Sequence, residues 1–215
     1  MTQDDPDQVR DFENRRWLGQ SQVPVWRHIV AAELVKAEPV LDVGGGDGLL
    51  MWILRERGFS EIRLSDLSPI AVEQAREAGF IAEVGDALAG LPYGDDEFAT
   101  VCALDVLEHL LDPLTALREL ARIGREVIVA TPNFNHLKAR LTVAAGRVPF
   151  QNKPARGHSY WMNHQVLARL SDEAGLRAVE WRFEPSSRLG SVGQRLADLR
   201  PNLFAVAFAV RFVKA

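Results

Sequence analysis

The stretch from Val40 to Gly48 constrains the fold of this chain more than any other part of its sequence. A short apolar run that contains Asp42 leads into four glycines, and the apolar residues Leu49–Leu54 follow directly. Short apolar runs are typical of buried strands, and glycine adopts backbone conformations that other residues avoid. The pattern therefore predicts a strand, a tight turn and a helix whose N-terminal amides face a bound ligand.

The residues of this turn distinguish it from other glycine-rich turns that bind nucleotides. The dinucleotide motif G-x-G-x-x-G requires a third glycine where Leu49 stands, and the Gly-Lys-Ser/Thr of a P-loop occurs nowhere in the chain. Asp42 and Asp47 instead place two carboxylates beside the turn. Such carboxylates repel a pyrophosphate but suit a cationic ligand, and S-adenosylmethionine, with its sulfonium and ammonium groups, fits that charge.

Acidic residues also end the next two predicted strands. Asp66 follows the second strand, beside Leu67, where a carboxylate can accept hydrogen bonds from both hydroxyls of a ribose. Asp86 and Ala87 follow the third strand, where Asp86 can accept from the exocyclic amine of an adenine and the Ala87 amide can donate to a ring nitrogen. The alternatives are a turn or capping residue at Asp66 and a solvated turn aspartate at Asp86.

Three titratable residues follow the apolar run Phe98–Leu104, which predicts a central parallel strand. Ligands bind beyond the C-terminal ends of such strands, so Asp105, Glu108 and His109 are candidates for the face where the reaction takes place. We assign Asp105 to the cofactor. His109 is the candidate general base, because imidazole titrates near neutral pH; the alternative is a histidine that only orients a neighbouring loop.

The alternation of strand and helix patterns predicts an α/β fold with a doubly wound, mostly parallel seven-stranded sheet and an antiparallel last strand. The predicted strands are Val40–Val43, Glu61–Ser65, Phe80–Val84, Phe98–Leu104, Glu126–Ala130, Leu176–Phe183 and Asn202–Val213. A polar connection without a clear long helix joins the last two strands, which favours an antiparallel pair at one sheet edge.

Two parts of the chain lie outside this regular pattern. Residues 1–38 precede the domain of residues 39–215 and give two helical patterns, Asp7 to Leu18 and Pro24 to Lys36. They form either a lid that brings Trp17, Trp26 and His28 near the site or helices that cover one sheet edge. Residues 134–163 are predicted as a basic, partly aromatic insertion on the substrate side.

The insertion belongs to a longer segment, Thr131 to Ser171, that contains no acidic residue. Its basic residues are Lys138, Arg140, Arg147, Lys153, Arg156 and Arg169. Because the segment begins at the reaction end of the fifth strand, it predicts a small acceptor that carries a carboxylate or phosphate. His158 and Tyr160 are, with His109, the candidate catalytic residues. The alternative is that the basic residues pair with acidic groups elsewhere on the molecule.

Composition and charge exclude several classes of protein. A net charge of −4 gives no general attraction to nucleic acid or to an anionic membrane. The only cysteine, Cys102, excludes a disulfide framework and favours a reducing compartment. We recognise no signal peptide and no apolar stretch of about 18 residues, so a cytoplasmic protein without a membrane span is expected. No metal-binding cluster is predicted.

Taken in order, these motifs resemble those of S-adenosylmethionine-dependent methyltransferases of the Rossmann-like seven-strand class, over residues 39–133. The resemblance implies that the methionine part of the cofactor lies at the glycine turn, the ribose at Asp66 and the adenine edge at Asp86. The glycines concerned are Gly44, Gly46 and Gly48. It also implies in-line methyl transfer to a small acceptor, with S-adenosylhomocysteine as the product.

The residues after the fifth strand suggest a branch of this family. Thr131 to His136, with Arg140 and Gly146–Pro149, are similar to the MetW-like branch of methionine biosynthesis, although Pro154–Trp161 departs from its pattern. This resemblance implies a second hypothesis, a non-catalytic partner of a biosynthetic enzyme. The partners considered, besides a small-molecule acceptor, are such an enzyme or a second copy of the chain. An NAD-dependent oxidoreductase is disfavoured by Leu49.

Overall fold

A seven-stranded sheet forms the centre of a computed structural model, which describes residues 10–11, 14–15, 17–18, 25–153 and 156–215. Its strands are β1 Val40–Val43, β2 Ile62–Asp66, β3 Ile81–Val84, β4 Phe98–Leu104, β5 Gly124–Pro132, β6 Leu176–Pro185 and β7 Ala205–Lys214. They are ordered β3-β2-β1-β4-β5-β7-β6. Strands β1 to β5 are parallel, and β7 is antiparallel to both of its neighbours. The predicted sheet is confirmed.

Helices cover both faces of this sheet. They are α1 Trp26–Leu34, α2 Leu49–Glu56, α3 Pro69–Glu77, α4 Pro113–Ile123, α5 Leu137–Ala144, α6 His164–Glu173, α7 Gly193–Leu199 and α8 Pro201–Phe204. Helices α1, α2 and α3 bury apolar residues with one face of the sheet, and α4 and α6 do so with the other. Because β1 and β4 are covered on both sides, their apolar sequences are nearly continuous.

Side-chain caps determine where two of these helices begin. The Ser68 hydroxyl accepts a hydrogen bond from the Ala71 amide, and Pro69 occupies the first position of α3. The Asn163 side chain accepts from the Val166 amide at 3.0 Å and starts α6. Serine and asparagine are favoured at this position because their side chains satisfy amides that have no partner within the helix, and proline is favoured at the first helical position.

The connection between β6 and β7 differs from the prediction. It contains a 3₁₀ segment, Ser187–Val192, and then helices α7 and α8. Helix α7 buries Gly193 and Ala197 and packs against β6, a tertiary contact that the local glycine and proline residues do not reveal. Pro201 begins α8, so β7 starts at Ala205 instead of Asn202.

The N-terminal region is described in part. The predicted helix Pro24–Lys36 is observed as α1, which packs against α2 and the sheet and fully buries Leu34. Most of the predicted helix Asp7–Leu18 lies outside the described residues. The division into a lid before residue 39 and a domain after it therefore stays a prediction. Among the described residues, no helix has the length and apolarity needed to cross a membrane.

Candidate active site

The glycine turn joins β1 to α2 at the C-terminal ends of the parallel strands. Gly44, Gly46 and Gly48 all have positive φ angles, of 71°, 61° and 90°. A Cβ atom at Gly44 would also lie 2.4 Å from Cγ2 of Val106, in the turn after β4. The turns that follow β1 and β4 are therefore in close contact, as expected of a ligand crevice at these strand ends.

Asp66 ends β2 and supports the glycine turn. Its Oδ2 accepts a hydrogen bond from the Gly46 amide at 2.9 Å, and its Oδ1 accepts from the Ser68 amide at 2.8 Å. The residue is 7% exposed. Each carboxylate oxygen can accept more than one hydrogen bond, so Asp66 can also accept from ribose hydroxyls. Leu67, half-buried, follows it on the same side of the sheet end.

Asp42 lies beneath the turn. It is 2% exposed within β1, and a Cβ at Gly45 would be 2.6 Å from its Oδ2. Burial, reinforced by the negative charge of Asp66, raises the pKa of Asp42 well above its usual value. Asp42 thus supports the turn from the inside, and direct contact with the cofactor stays a prediction.

Asp86 and Ala87 follow β3 as predicted. The Asp86 Oδ1 accepts from the Leu88 amide at 2.8 Å and so forms a turn, while Ala87 is buried. This hydrogen bond matches the alternative of a turn aspartate, and it leaves the second carboxylate oxygen as the atom for an adenine amine. The adenine assignment stays a prediction.

Asp105 forms a partly buried ion pair with Arg27 of α1. The Arg27 Nε lies 2.7 and 2.9 Å from the two carboxylate oxygens, and its Nη1 lies 3.5 Å from Glu184 of β6. Asp105 itself has a positive φ of 54°, which is uncommon for a residue with a side chain. The ion pair joins the N-terminal helix to the end of β4.

Glu108, His109 and His158 converge beyond the end of β4, and we call them the Glu–His–His cluster. One ligand atom from each lies within 4.8 Å of the others, and the two imidazole centroids are 4.7 Å apart. The Nδ1 of His109 lies 3.1 Å from the Gly157 carbonyl, and that of His158 lies 2.6 Å from the Gln151 carbonyl. A carbonyl only accepts hydrogen bonds, so each Nδ1 carries a proton, and the neutral form of each ring has its lone pair on Nε2.

Glu108 is the buried member of the Glu–His–His cluster. It is 0% exposed; its Oε2 accepts from the Thr131 hydroxyl at 2.9 Å, and no donor among the described residues reaches its Oε1. Burial, with the nearby charge of Asp105, raises the pKa of Glu108 to about 8. Its backbone carbonyl accepts from the amides of Ser159 and Tyr160, which holds the irregular segment that carries His158 against the end of β4.

The Glu–His–His cluster does not include Tyr160, His136 or His164. The Tyr160 side chain packs against the apolar core of the α4 and α6 face, so its predicted catalytic role rests on proximity in the chain to His158. His136 precedes α5 as its N-cap, and His164 begins α6 and packs on Trp181 with ring centroids 4.4 Å apart. Both histidines therefore lie at helix N-termini, outside the Glu–His–His cluster.

Part of the N-terminal region reaches the cofactor side of the sheet. The Ser68 hydroxyl donates to the Asn14 side chain at 2.7 Å, and the Gln74 amide donates to the Trp17 carbonyl at 3.0 Å. Ser68 caps α3 and Gln74 lies within that helix. Both the lid and the alternative of helices that cover a sheet edge stay predictions.

Sequence reasoning missed Arg27 and Thr131 as site residues. Arg27 stands in the first turn of the otherwise largely apolar helix α1, and a charged residue in that setting is a signal of a buried partner. Thr131 lies at the buried end of β5, beside the carboxylate of Glu108. The sequence identified Glu108 as a candidate but did not indicate which residues surround it.

The arrangement fits S-adenosylmethionine in its charge and its donors. Asp66 offers a carboxylate for ribose hydroxyls, and the positive-φ glycines leave no Cβ atoms in the turn. Asp47 supplies negative charge that suits a sulfonium and an ammonium group. The charges of Asp105 and Arg27 are paired with each other.

Residues 20–180 match a protein family described as methyltransferase domain. The chain belongs to this family. The methyltransferase is similar to the "ubiquinone biosynthesis O-methyltransferase" of Xylella fastidiosa strain 9a5c, with 30% identity over 166 residues, 66% of this chain and 65% of that protein. A protein of the same name from Dinoroseobacter shibae is 26% identical over 175 residues, 76% of this chain and 70% of that protein. The match thus spans roughly two thirds of the length of these relatives.

Solved structures show the same fold. Magnesium protoporphyrin IX methyltransferase from Synechocystis PCC 6803, with bound S-adenosylhomocysteine, aligns with a TM-score of 0.68 at 20% identity, over 98% of this methyltransferase and 100% of that chain. A possible histamine N-methyltransferase from Thermotoga maritima aligns with a TM-score of 0.64 at 19% identity, over 97% and 95%. The predicted resemblance to S-adenosylmethionine-dependent methyltransferases is confirmed. The two relatives matched by sequence are named O-methyltransferases, and the MetW-like branch stays a prediction.

Proposed function

We propose that this methyltransferase transfers the methyl group of S-adenosylmethionine to a hydroxyl oxygen of a small acceptor that also carries an anionic group. The observation that carries the proposal is the position of the Glu–His–His cluster, at the end of β4 and beside the turn that contacts Gly44. The O-methyltransferase names of two relatives support oxygen as the atom that is methylated.

A hydroxyl acceptor explains why proton-accepting groups converge at this place. When bound, S-adenosylmethionine supplies an electrophilic methyl group, whose bond to sulfur breaks with its electron pair as the acceptor oxygen bonds to carbon. A hydroxyl must also lose its proton, whereas a carboxylate or thiolate reaches the site without one. The Nε2 lone pairs of His109 and His158 point to that role, because their Nδ1 protons are held by backbone carbonyls.

The basic insertion supports an anionic group on the acceptor. Arg169 is paired with Glu173, but no carboxylate of the described residues pairs with the other basic side chains of this segment. Those side chains are Lys138, Arg140, Arg147, Lys153 and Arg156. The alternative, that basic side chains of this segment neutralise acidic groups of the same molecule, therefore applies to Arg169. The positive charge of the other five side chains is not neutralised by an ion pair among the described residues.

A neighbouring cavity supports an acceptor with an apolar body. The cavity measures about 550 Å³ and is lined by α5, the segment Pro149–Gln151 and the connection before β7. Gln151 belongs to its lining and bonds through its carbonyl to His158, so the cavity adjoins the Glu–His–His cluster. Apolar side chains cover much of the wall, whereas Lys138 and Arg188 place positive charge in it.

The test compares matched acceptors that differ in charge. The purified protein is incubated with S-adenosylmethionine and either catechol or 3,4-dihydroxybenzoate, and the methylated product is identified by mass spectrometry. We expect O-methylation, with a lower KM for the carboxylate-bearing acceptor. Lys138→Ala and Arg188→Ala should raise that KM about tenfold, equivalent to about 1.4 kcal/mol, and leave the KM for catechol unchanged.

Arg57→Ala is the matched control, because Arg57 is exposed at the end of α2 and lies outside the cavity lining. It should not change either KM. Equal KM values for the charged and uncharged acceptors would contradict the anionic part of the proposal. Binding of S-adenosylmethionine without turnover of any hydroxyl acceptor would contradict O-methylation.

A further inference from the structure

We infer that the Glu–His–His cluster is a binding site for one divalent cation of the zinc type. The site needs Glu108, His109 and His158 as its three protein ligands, and one ligand atom of each already lies within 4.8 Å of the others. The sequence predicted no metal site, because Glu108 and His109 are adjacent while His158 follows 49 residues later, outside any ligand-spacing pattern.

The hydrogen bonds of the two imidazoles prepare them for coordination. His109 and His158 each place Nδ1 against a backbone carbonyl, of Gly157 and Gln151 respectively. Histidines that bind metals commonly donate their second ring N–H to a carbonyl or carboxylate in this way, which fixes the tautomer and directs the other nitrogen to the metal. Two histidines with the same arrangement face each other here.

The carboxylate of Glu108 gives an independent indication. Its Oε2 is held by the Thr131 hydroxyl, while its Oε1 is fully buried and no donor of the described residues reaches it. A buried oxygen without a donor costs about 1–3 kcal/mol. A cation bound by Oε1 removes that cost, and the Thr131 hydroxyl then acts as the group that orients the ligand.

The donor set defines the class of cation. Two imidazoles and one carboxylate are the ligands of catalytic zinc sites, which keep a further position open, and they also suit other first-row divalent ions. Bonds of about 2.0–2.1 Å imply ligand separations of about 3.4 Å, somewhat shorter than the spread observed here. The ligand atoms would therefore move closer together on binding; His158 lies on an irregular segment, between Arg156 and the start of α6.

The role of the cation in the reaction rests on the proposed O-methylation. With the cation bound, the acceptor oxygen would occupy its open coordination position, which lowers the pKa of the hydroxyl so that the proton leaves to solvent before the oxygen attacks. The lone pairs of His109 and His158 would then bind the cation, so the cation replaces the two histidines as the group that promotes loss of the proton. The cation stays bound and is neither oxidised nor reduced.

Metal binding is tested without cofactor or acceptor. The full-length protein, freed of metal by a chelator, is titrated with Co²⁺, and the visible absorption of the ion and the metal content per chain are measured. We expect uptake of about one Co²⁺ per chain, with the absorption spectrum of an ion of low coordination number. Zn²⁺ should displace the bound Co²⁺. His158→Ala should abolish this uptake, and Thr131→Val, which keeps all three ligands, should weaken it about tenfold.

His164→Ala is the matched control, because His164 is a half-buried histidine outside the Glu–His–His cluster. Circular dichroism and thermal unfolding confirm that each variant folds. No uptake by the folded wild-type protein, or equal uptake by the wild type and His158→Ala, overturns the proposal. The titration uses neither S-adenosylmethionine nor a hydroxyl acceptor. A failure of metal binding can therefore be distinguished from a failure of the proposed O-methylation.

Discussion

The carboxylate of Asp66 accepts a hydrogen bond from the backbone amide of Gly46 at 2.9 Å. The residue at the end of β2 is therefore held in place by the turn at the end of β1. Cofactor binding does not have to order this side chain, because its position is already determined by the Gly46 and Ser68 amides. Preorganisation of this kind lowers the entropic cost of binding.

Asp66→Ala should weaken the binding of S-adenosylmethionine strongly. A charge-assisted hydrogen bond contributes about 1.5–3 kcal/mol, so the loss of one bond to a ribose hydroxyl corresponds to about 10- to 150-fold in affinity. Isothermal titration calorimetry measures the effect. Glu77→Ala, at the exposed end of α3, is the control and should bind as the wild type does. A folded Asp66→Ala protein with wild-type affinity would remove the ribose assignment.

Gly44→Ala should be much more harmful than Gly58→Ala. Both glycines have positive φ angles, of 71° and 93°, so both substitutions place an alanine in a conformation that costs about 1–2 kcal/mol. Only at Gly44 does the new Cβ meet another atom, Cγ2 of Val106 at 2.4 Å, whereas the position at Gly58 is open. Overpacking adds about 1–3 kcal/mol.

Urea denaturation of the two glycine variants measures this difference. The double variant Gly44→Ala/Val106→Ala should recover most of the additional loss, because it removes the contacting methyl group. A Gly44→Ala protein as stable as Gly58→Ala would show that the two turns can move apart freely.

Arg27→Ala should lower the free energy of unfolding by about 2 kcal/mol. The ion pair with Asp105 is partly buried. Exposed ion pairs contribute about 0–1 kcal/mol to stability, whereas breaking a buried pair costs about 3–5 kcal/mol. We expect an intermediate loss for this pair. Arg169→Ala, which breaks the exposed pair with Glu173, should lower the free energy of unfolding much less, because solvent screens that pair. Equal losses in the two variants, measured by urea denaturation, would mean that the Arg27 pair contributes no more than a surface contact.

Stability should fall as the pH drops below about 6.5, in part because of His164. Burial lowers the pKa of His164 in the folded protein, whereas the unfolded chain takes up a proton as the pH passes about 6.5. The unfolded state therefore binds more protons at acid pH, and protonation favours unfolding. The difference in Tm between about pH 8 and pH 5.5 should be smaller in His164→Gln than in the wild type. An unchanged difference would assign the acid sensitivity to other groups.

The central strand and the glycine turn could be predicted from the sequence because local pattern determines both. The nearly continuous apolar run Phe98–Leu104 coincides with β4, as expected of a strand that is buried on both faces. Likewise, the turn after β1 requires positive φ angles, and the sequence supplies glycine at each of those positions.

The contacts across the site could not be predicted in this way. Arg27 and Asp105 are 78 residues apart, and they meet only because α1 packs against the sheet next to β4. His158 reaches His109 because the Glu108 carbonyl binds two amides of a distant irregular segment. Neither contact leaves a periodic signal, since the residues involved are single and belong to different elements.

The backbone amides of Ser159 and Tyr160, and not their side chains, donate the hydrogen bonds to the Glu108 carbonyl. Side chains in this segment can be replaced without loss of the attachment, because every residue except proline has the amide that is used. His158 can then stay beside His109 while its neighbours change. Preference for one acceptor over another is thus free to evolve independently of the chemistry at the end of β4.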